Sequence, residues 1–123
     1  MKKSSPKRTY IDYLLDIADA MEKIEKFTEG FTLESFREDE KTVFAVVRAL
    51  EIIGEATTKI PATVKNHHKE IPWKNMAGIR NKLIHEYFGV NMVVVWKTIK
   101  EDLPELKIKV AKMLEDLKIT KLF

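Results

Sequence analysis

At 123 residues the chain fits one domain, with 45% hydrophobic residues to build a core and no room for a separate cofactor-binding domain. It contains no cysteine, which excludes disulfides, thiolate metal sites and a cysteine nucleophile, and fits a reducing cytoplasm. Twenty-two basic residues against 19 acidic ones leave a net charge of +3, spread along the chain, which permits a nucleic-acid partner without requiring one.

The basic start MKKSSPKR runs into a pattern carrying Asp12, Asp16 and Asp19, where a signal peptide would need an unbroken apolar region. No apolar stretch of about 18 residues follows it, so no membrane span is expected and the chain reads as cytoplasmic. Tyr10, Leu14, Ile17, Met21 and Ile24 step by four and three, which predicts a long first helix after Pro6 and before Gly30. Residues 33–36 read as a single short turn. The spacing of Val43, Val46, Val47, Leu50 and Ile53 predicts the longest regular segment, over 39–60, with Asp39 and Glu40 at the positive end of its dipole and Pro61 at its stop. Gly54 interrupts good helix formers there, which points to close packing against a neighbour.

Residues 61–70 read as a short helix and loop. Pro72 suits the first turn of a helix reaching residue 86 or 87, with Met76, Ile79 and Leu83 as its buried stripe and Gly89 as its end. Asn91 can cap a helix containing Met92, Val95, Trp96 and Ile99. Val93 to Val95 could form a strand locally, but Trp96, Ile99 and Leu103 keep helical phase. Pro104 is expected to kink or restart that helix, and Leu106, Val110, Met113 and Leu117 carry a final amphipathic stripe. Short connections between long helices imply an all-α, up-and-down antiparallel four-helix bundle with additional short helices, in one domain over 1–123.

The segment IPWKNMAGIRNKLIHEYFGVN, residues 71–91, places Arg80, Asn81, Lys82, His85, Glu86 and Tyr87 at one helix end. Phosphodiester cleavage without a metal needs a group that takes a proton from the attacking 2′-hydroxyl and a fixed cation beside the phosphate. Histidine titrates near neutrality and arginine grips phosphate oxygens bidentately, so Arg80 and His85 supply such a pair. At about 100° per residue Arg80 and Tyr87 lie roughly 20° apart, whereas His85 lies about 140° from Arg80. Either the helix deforms before Gly89 or two chains combine their segments across a dimer axis, and the dimer doubles the cations lining one cleft. A structural reading stands beside the catalytic one, since a histidine near a helix C-terminus gains from the dipole.

The run R-N-K-L-I-H-E-Y, Arg80 through Tyr87, resembles the signature of the HEPN superfamily and, more closely, its HepT-type branch: Arg, four residues, His, one residue, Tyr. YLLDIADAMEKIEKFTEG, VVRALEIIGEATTKIP and VVWKTIKEDLPEL also look like that branch, so the resemblance covers roughly residues 10 to 106. It implies a HEPN-fold homodimer whose two motif helices line a shared cleft, and a toxin with metal-independent endoribonuclease activity on RNA. It also implies a cognate minimal nucleotidyltransferase antitoxin of the MntA type that adenylylates the motif tyrosine. Carried over, Arg80 stabilises the phosphate, His85 is general base or acid, Tyr87 is the modification site, and Asn81 and Lys82 are polar neighbours on the RNA side. No cofactor and no metal are implied. The alternative is a non-catalytic HEPN partner that binds a nucleotide or presents Tyr87 to a nucleotidyltransferase.

Other clusters read as structural. His67 and His68 with Glu70 offer no third well-spaced metal ligand and suit a solvated loop. Glu51 and Glu55 lie one turn apart, with Arg48 placed to pair with Glu51, and the family resemblance leaves open a dimer-interface role for Glu55. Trp73 and Trp96 read as core, and Lys97, Lys100, Lys107 and Lys109 as a solvated face. Lysine dominates the basic set, with arginine only at positions 8, 37, 48 and 80.

Overall fold

The computed structural model describes residues 8–88 and 91–122; the side chains of 82–88 and 118–122 lie outside the described residues. Helix α1 is Tyr10–Thr28. Thr9 and Asp12 form a reciprocal capping box, in which Asp12 accepts the Thr9 backbone N–H at 2.9 Å. Of its predicted stripe Leu14, Ile17, Met21 and Ile24 are buried and Tyr10 is half-buried, and Gly30 takes φ +80° to turn the chain, a left-handed conformation that suits glycine. A second box, Thr32 with Ser35, starts α2 (Leu33–Glu38). Read from sequence as one turn, this element is a six-residue helix, because the box satisfies its first amides and Phe36 anchors it. Phe36 is fully buried, with its ring 5.1 Å from that of Trp96.

Helix α3 is Glu40–Thr58, capped by the Asp39 side chain on the Thr42 amide at 3.0 Å. Its stripe of Val43, Val46, Val47, Leu50 and Ile53 is buried as the spacing predicts. The short α4 (Ala62–His67) leads to α5 (Trp73–Phe88), whose first turn is nucleated by Pro72, the carbonyl of which accepts from the Met76 amide. Met76 and Ile79 are buried; Leu83 and the predicted stop at Gly89 lie outside the described residues. Trp73 is core, and its indole N–H donates to the His68 carbonyl at 3.0 Å.

Asn91 caps α6 (Met92–Lys97) through the Val94 amide at 3.2 Å. A π turn, Thr98–Asp102, then joins α6 without a break to α7 (Leu103–Leu122). Pro104 was the expected kink or restart. It instead follows a widened turn in which the Leu103 amide donates to the Thr98 carbonyl, five residues back. Proline lacks the N–H that would reach the carbonyl four residues earlier, and its ring crowds that carbonyl in a regular helix, so a local widening relieves both problems.

Helix α1 packs on α3, α3 on α5, and α7 returns to α1, while α6 lies against α5 and α2. Glu25 near the end of α1 pairs with Lys107 near the start of α7, as antiparallel packing requires. The result is an all-α bundle with a single core, and no strand occurs among the described residues. Buried Thr28 and Thr57 each donate to the carbonyl four residues back at 2.7 Å, so neither hydroxyl is left unsatisfied. Among the described residues no helix is long and apolar enough to cross a membrane.

Asn91→Ala should remove the side-chain cap of α6 and cost about 1 kcal/mol. Urea unfolding should show a lower midpoint at an unchanged slope.

Candidate active site

The chemistry-bearing segment lies on the C-terminal half of α5, and the backbone is α-helical from Trp73 through Phe88. Deformation of the helix between positions 80 and 87 therefore does not occur, and the angular separations of a regular helix hold: about 20° between positions 80 and 87, about 140° between 80 and 85. The side chains of Lys82, His85, Glu86 and Tyr87 lie outside the described residues.

Arg80 is the anchor of the described site. Its backbone is set by α3: a Cβ built on Gly54 would lie 3.1 Å from the Arg80 Cβ and 3.2 Å from its amide nitrogen. A Cβ there would be tighter than most real contacts and would force the neighbour to give by a few tenths of an ångström, which is the close packing the interruption at Gly54 predicted. Arg80 is exposed, and among the described residues its guanidinium has no hydrogen-bond or ion-pair partner. A permanently charged fork without a carboxylate partner among the described residues is open to an anion. Asn81 beside it is also exposed.

Arg80 borders a groove of about 640 Å³ between α1 and α3. The groove also takes in Arg8, Tyr13, Asp16, Arg48 and Glu55, so three of the chain's four arginines converge on it. Arg8 lies over the Tyr13 ring, 4.6 Å from its centre, and pairs with Asp16 at 2.7 Å. Arg48 pairs with Glu51 as its spacing predicts and reaches Glu55 as well, at 3.6 and 3.7 Å. These long, exposed contacts hold it weakly. The convergence escaped the reading of the sequence, which treated each arginine locally; the scarcity of arginine in a lysine-rich chain was the available signal.

A second cleft, about 610 Å³, lies on the other side of α5, with Met76, Ile79 and Leu106 among its apolar lining and Glu101, Asp102 and Glu105 among its charged residues. Those carboxylates disfavour a polyanion, and Arg80 is not part of it.

The remaining clusters are structural. His67 ends α4 rather than lying in a loop, its Nδ1 2.8 Å from the Thr63 carbonyl, and His68 faces Glu70 at 3.5 Å. Among the described residues no three potential ligands cluster around a metal position. Trp96 is half-buried against Phe36, with the Lys100 ammonium 4.8 Å from its ring centre. Lys107 and Lys109 pair with Glu25 and Glu105.

Residues 17–113 match the family model described as "Ribonuclease HepT-like". A protein of Thermococcus cleftensis named "Probable ribonuclease HepT" is 58% identical over 107 residues, which is 87% of this chain and 97% of that protein. "Putative RNase MJ1216" of Methanocaldococcus jannaschii is 43% identical over 112 residues, 91% of this chain and 93% of its own length. "Putative RNase TTE0752" of Caldanaerobacter subterraneus subsp. tengcongensis is 42% identical over 108 residues, 88% of this chain and 94% of its own. No solved structure matches.

Proposed function

Because the chain belongs to the HepT-like ribonuclease family, we propose that it is the toxin of a toxin–antitoxin module, a metal-independent endoribonuclease that works through Arg80 and His85. The observation that carries the reading is the Arg80–His85–Tyr87 spacing on one uninterrupted helix, with the Arg80 guanidinium unpaired among the described residues at the edge of a groove.

In the proposed reaction His85 takes the proton of a ribose 2′-hydroxyl as the oxygen attacks the adjacent phosphorus. The bond from phosphorus to the 5′-oxygen breaks, and that oxygen receives a proton from a second acid. Arg80 lies on the phosphate and offsets the charge that grows on its oxygens. Positions 80 and 85 diverge by about 140° around a regular helix, which supports a homodimer in which one subunit's arginine serves the other's histidine. Asn81 and Lys82 then flank the bound RNA.

Tyr87 is the proposed site of adenylylation by a cognate MntA-type nucleotidyltransferase antitoxin. Positions 80 and 87 lie about 20° apart on the helix, so an adenylyl phosphate on Tyr87 falls beside Arg80 and competes with RNA for it. The module would act in the cytoplasm.

Purified protein of unmodified mass should cleave total RNA or tRNA in excess EDTA. Incubation with the nucleotidyltransferase and ATP should add one adenylyl group and abolish cleavage, and Tyr87→Phe should block both changes. An unmodified protein that leaves every RNA intact would overturn the catalytic reading and favour a partner that only presents Tyr87.

A further inference from the structure

The groove beside Arg80 has features that a single phosphate does not require. Arginine is scarce in this chain, yet Arg8 and Arg48 share the groove with Arg80, although they come from three separate segments. Its walls carry five cations against three carboxylates, a net positive lining. Among them sits Tyr13, half-buried and covered by the Arg8 guanidinium. Arg48 reaches along α3 to Glu55, and it lines the same groove as Arg80.

We infer that this groove is a nucleotide subsite next to the scissile bond, with Arg48 on the neighbouring phosphate and the flanking base stacked on the platform made by Tyr13 and Arg8. The inference rests on the ribonuclease reading and extends it. Flat cations and aromatic rings are the surfaces on which unpaired bases stack, and stacking of this kind tolerates any base. The contacts of Arg48 to Glu51 and Glu55 are weak, and a phosphate, as the stronger bidentate partner, displaces them. A second copy of the chain is the less suitable occupant, because eight of the fourteen residues lining the groove are charged and the centres of protein interfaces are depleted of charge.

The test is binding of a short fluorescein-labelled oligouridylate to the His85→Ala protein across a range of salt concentrations. In that background Arg48→Ala should weaken binding and reduce the slope of log K against log salt by about 0.7, the loss of one phosphate contact on a single strand. Arg48→Lys should keep the slope while losing affinity, since the charge remains and the fork does not. Tyr13→Ala should weaken binding about tenfold and Tyr13→Phe should restore it. Glu55→Gln should act in the opposite direction, tightening binding about two- to fivefold by freeing Arg48. Lys109→Ala, in the second cleft, should change none of these, and thermal melts should show that each variant folds.

If the parent binds RNA and Arg48→Ala binds with equal affinity and slope, the subsite is disproved while the proposed function stands. If Arg48→Ala instead shifts the dimerisation constant and leaves RNA affinity alone, the groove is an interface between copies and the inference is overturned. If the parent protein binds no RNA, both readings fall together.

Discussion

Arg80→Ala is expected to lower the single-turnover cleavage rate about 10²- to 10³-fold, the usual loss when one preorganised donor to a developing oxyanion is removed. His85→Ala should lose about 10²- to 10⁴-fold through loss of proton transfer. Arg80→Lys should recover only part of the rate, since a point charge replaces a planar fork. The two alanine variants also report on the composition of the site. If each site takes its arginine from one subunit and its histidine from the other, a heterodimer of the two variants has one doubly defective site and one intact site. Random mixing then restores about a quarter of the wild-type activity. If both groups come from one subunit, mixing restores nothing. A wild-type rate from Arg80→Ala would remove Arg80 from the mechanism altogether.

The second large effect is expected at Gly54, which touches no substrate. Valine there would put a branched side chain where a single carbon already lies 3.1 Å from the Arg80 Cβ and 3.2 Å from its backbone nitrogen. Backbone cannot rotate away as a flexible side chain can, so α3 and α5 must separate. The cost of such overpacking is about 1–3 kcal/mol, larger than the few tenths that valine recovers from glycine's poor helix propensity. Because the same crossing positions Arg80, the cleavage rate of the folded variant should fall as well; displacement of a catalytic group by about 1 Å can cost 10²-fold. Gly78 on α5 provides the contrast. An added Cβ there meets nothing within 4 Å, so Gly78→Ala should stabilise the helix by about 0.5–1 kcal/mol. Urea unfolding of both variants, with cleavage assayed well below the transition, separates the packing effect from the catalytic one. A Gly54→Val protein as stable and as active as wild type would show that the crossing does not set Arg80.

The parts of the fold governed by local chemistry were legible in the sequence. Asn91 caps α6 as expected because its oxygen accepts a nearby amide, and the stripes through Leu14 and Ile53 are buried because their spacing follows the helix. Gly54 was legible as a close contact, but its partner was not, since spacing along one helix carries no information about which neighbour approaches. Phe36 was underestimated because a single buried ring in a six-residue helix gives no periodicity to read. The candidate site was legible only as a motif, the spacing of Arg80, His85 and Tyr87. The groove beside it was not, because Arg8, Tyr13 and Arg48 come together only when α1 lies along α3.

The π turn at Thr98–Asp102 also bears on how this chain can gain or lose residues. A π turn holds about one residue more than the α-helical turn it replaces, so the segment behaves as an α-helix with a single insertion absorbed in place. Loss of exposed Lys100 would let the turn relax to regular α geometry with Leu106, Val110 and Met113 still facing the core, at the cost of restoring the Pro104 crowding that the wide turn relieves. Loss of exposed Ile108 has no such reservoir, and everything after it would turn by about 100°, carrying Val110 and Met113 toward water. Single-residue deletions in this helix are therefore expected to cost less at Thr98–Asp102, where only the Pro104 crowding returns, than in the α7 turns that follow, where the buried stripe is lost.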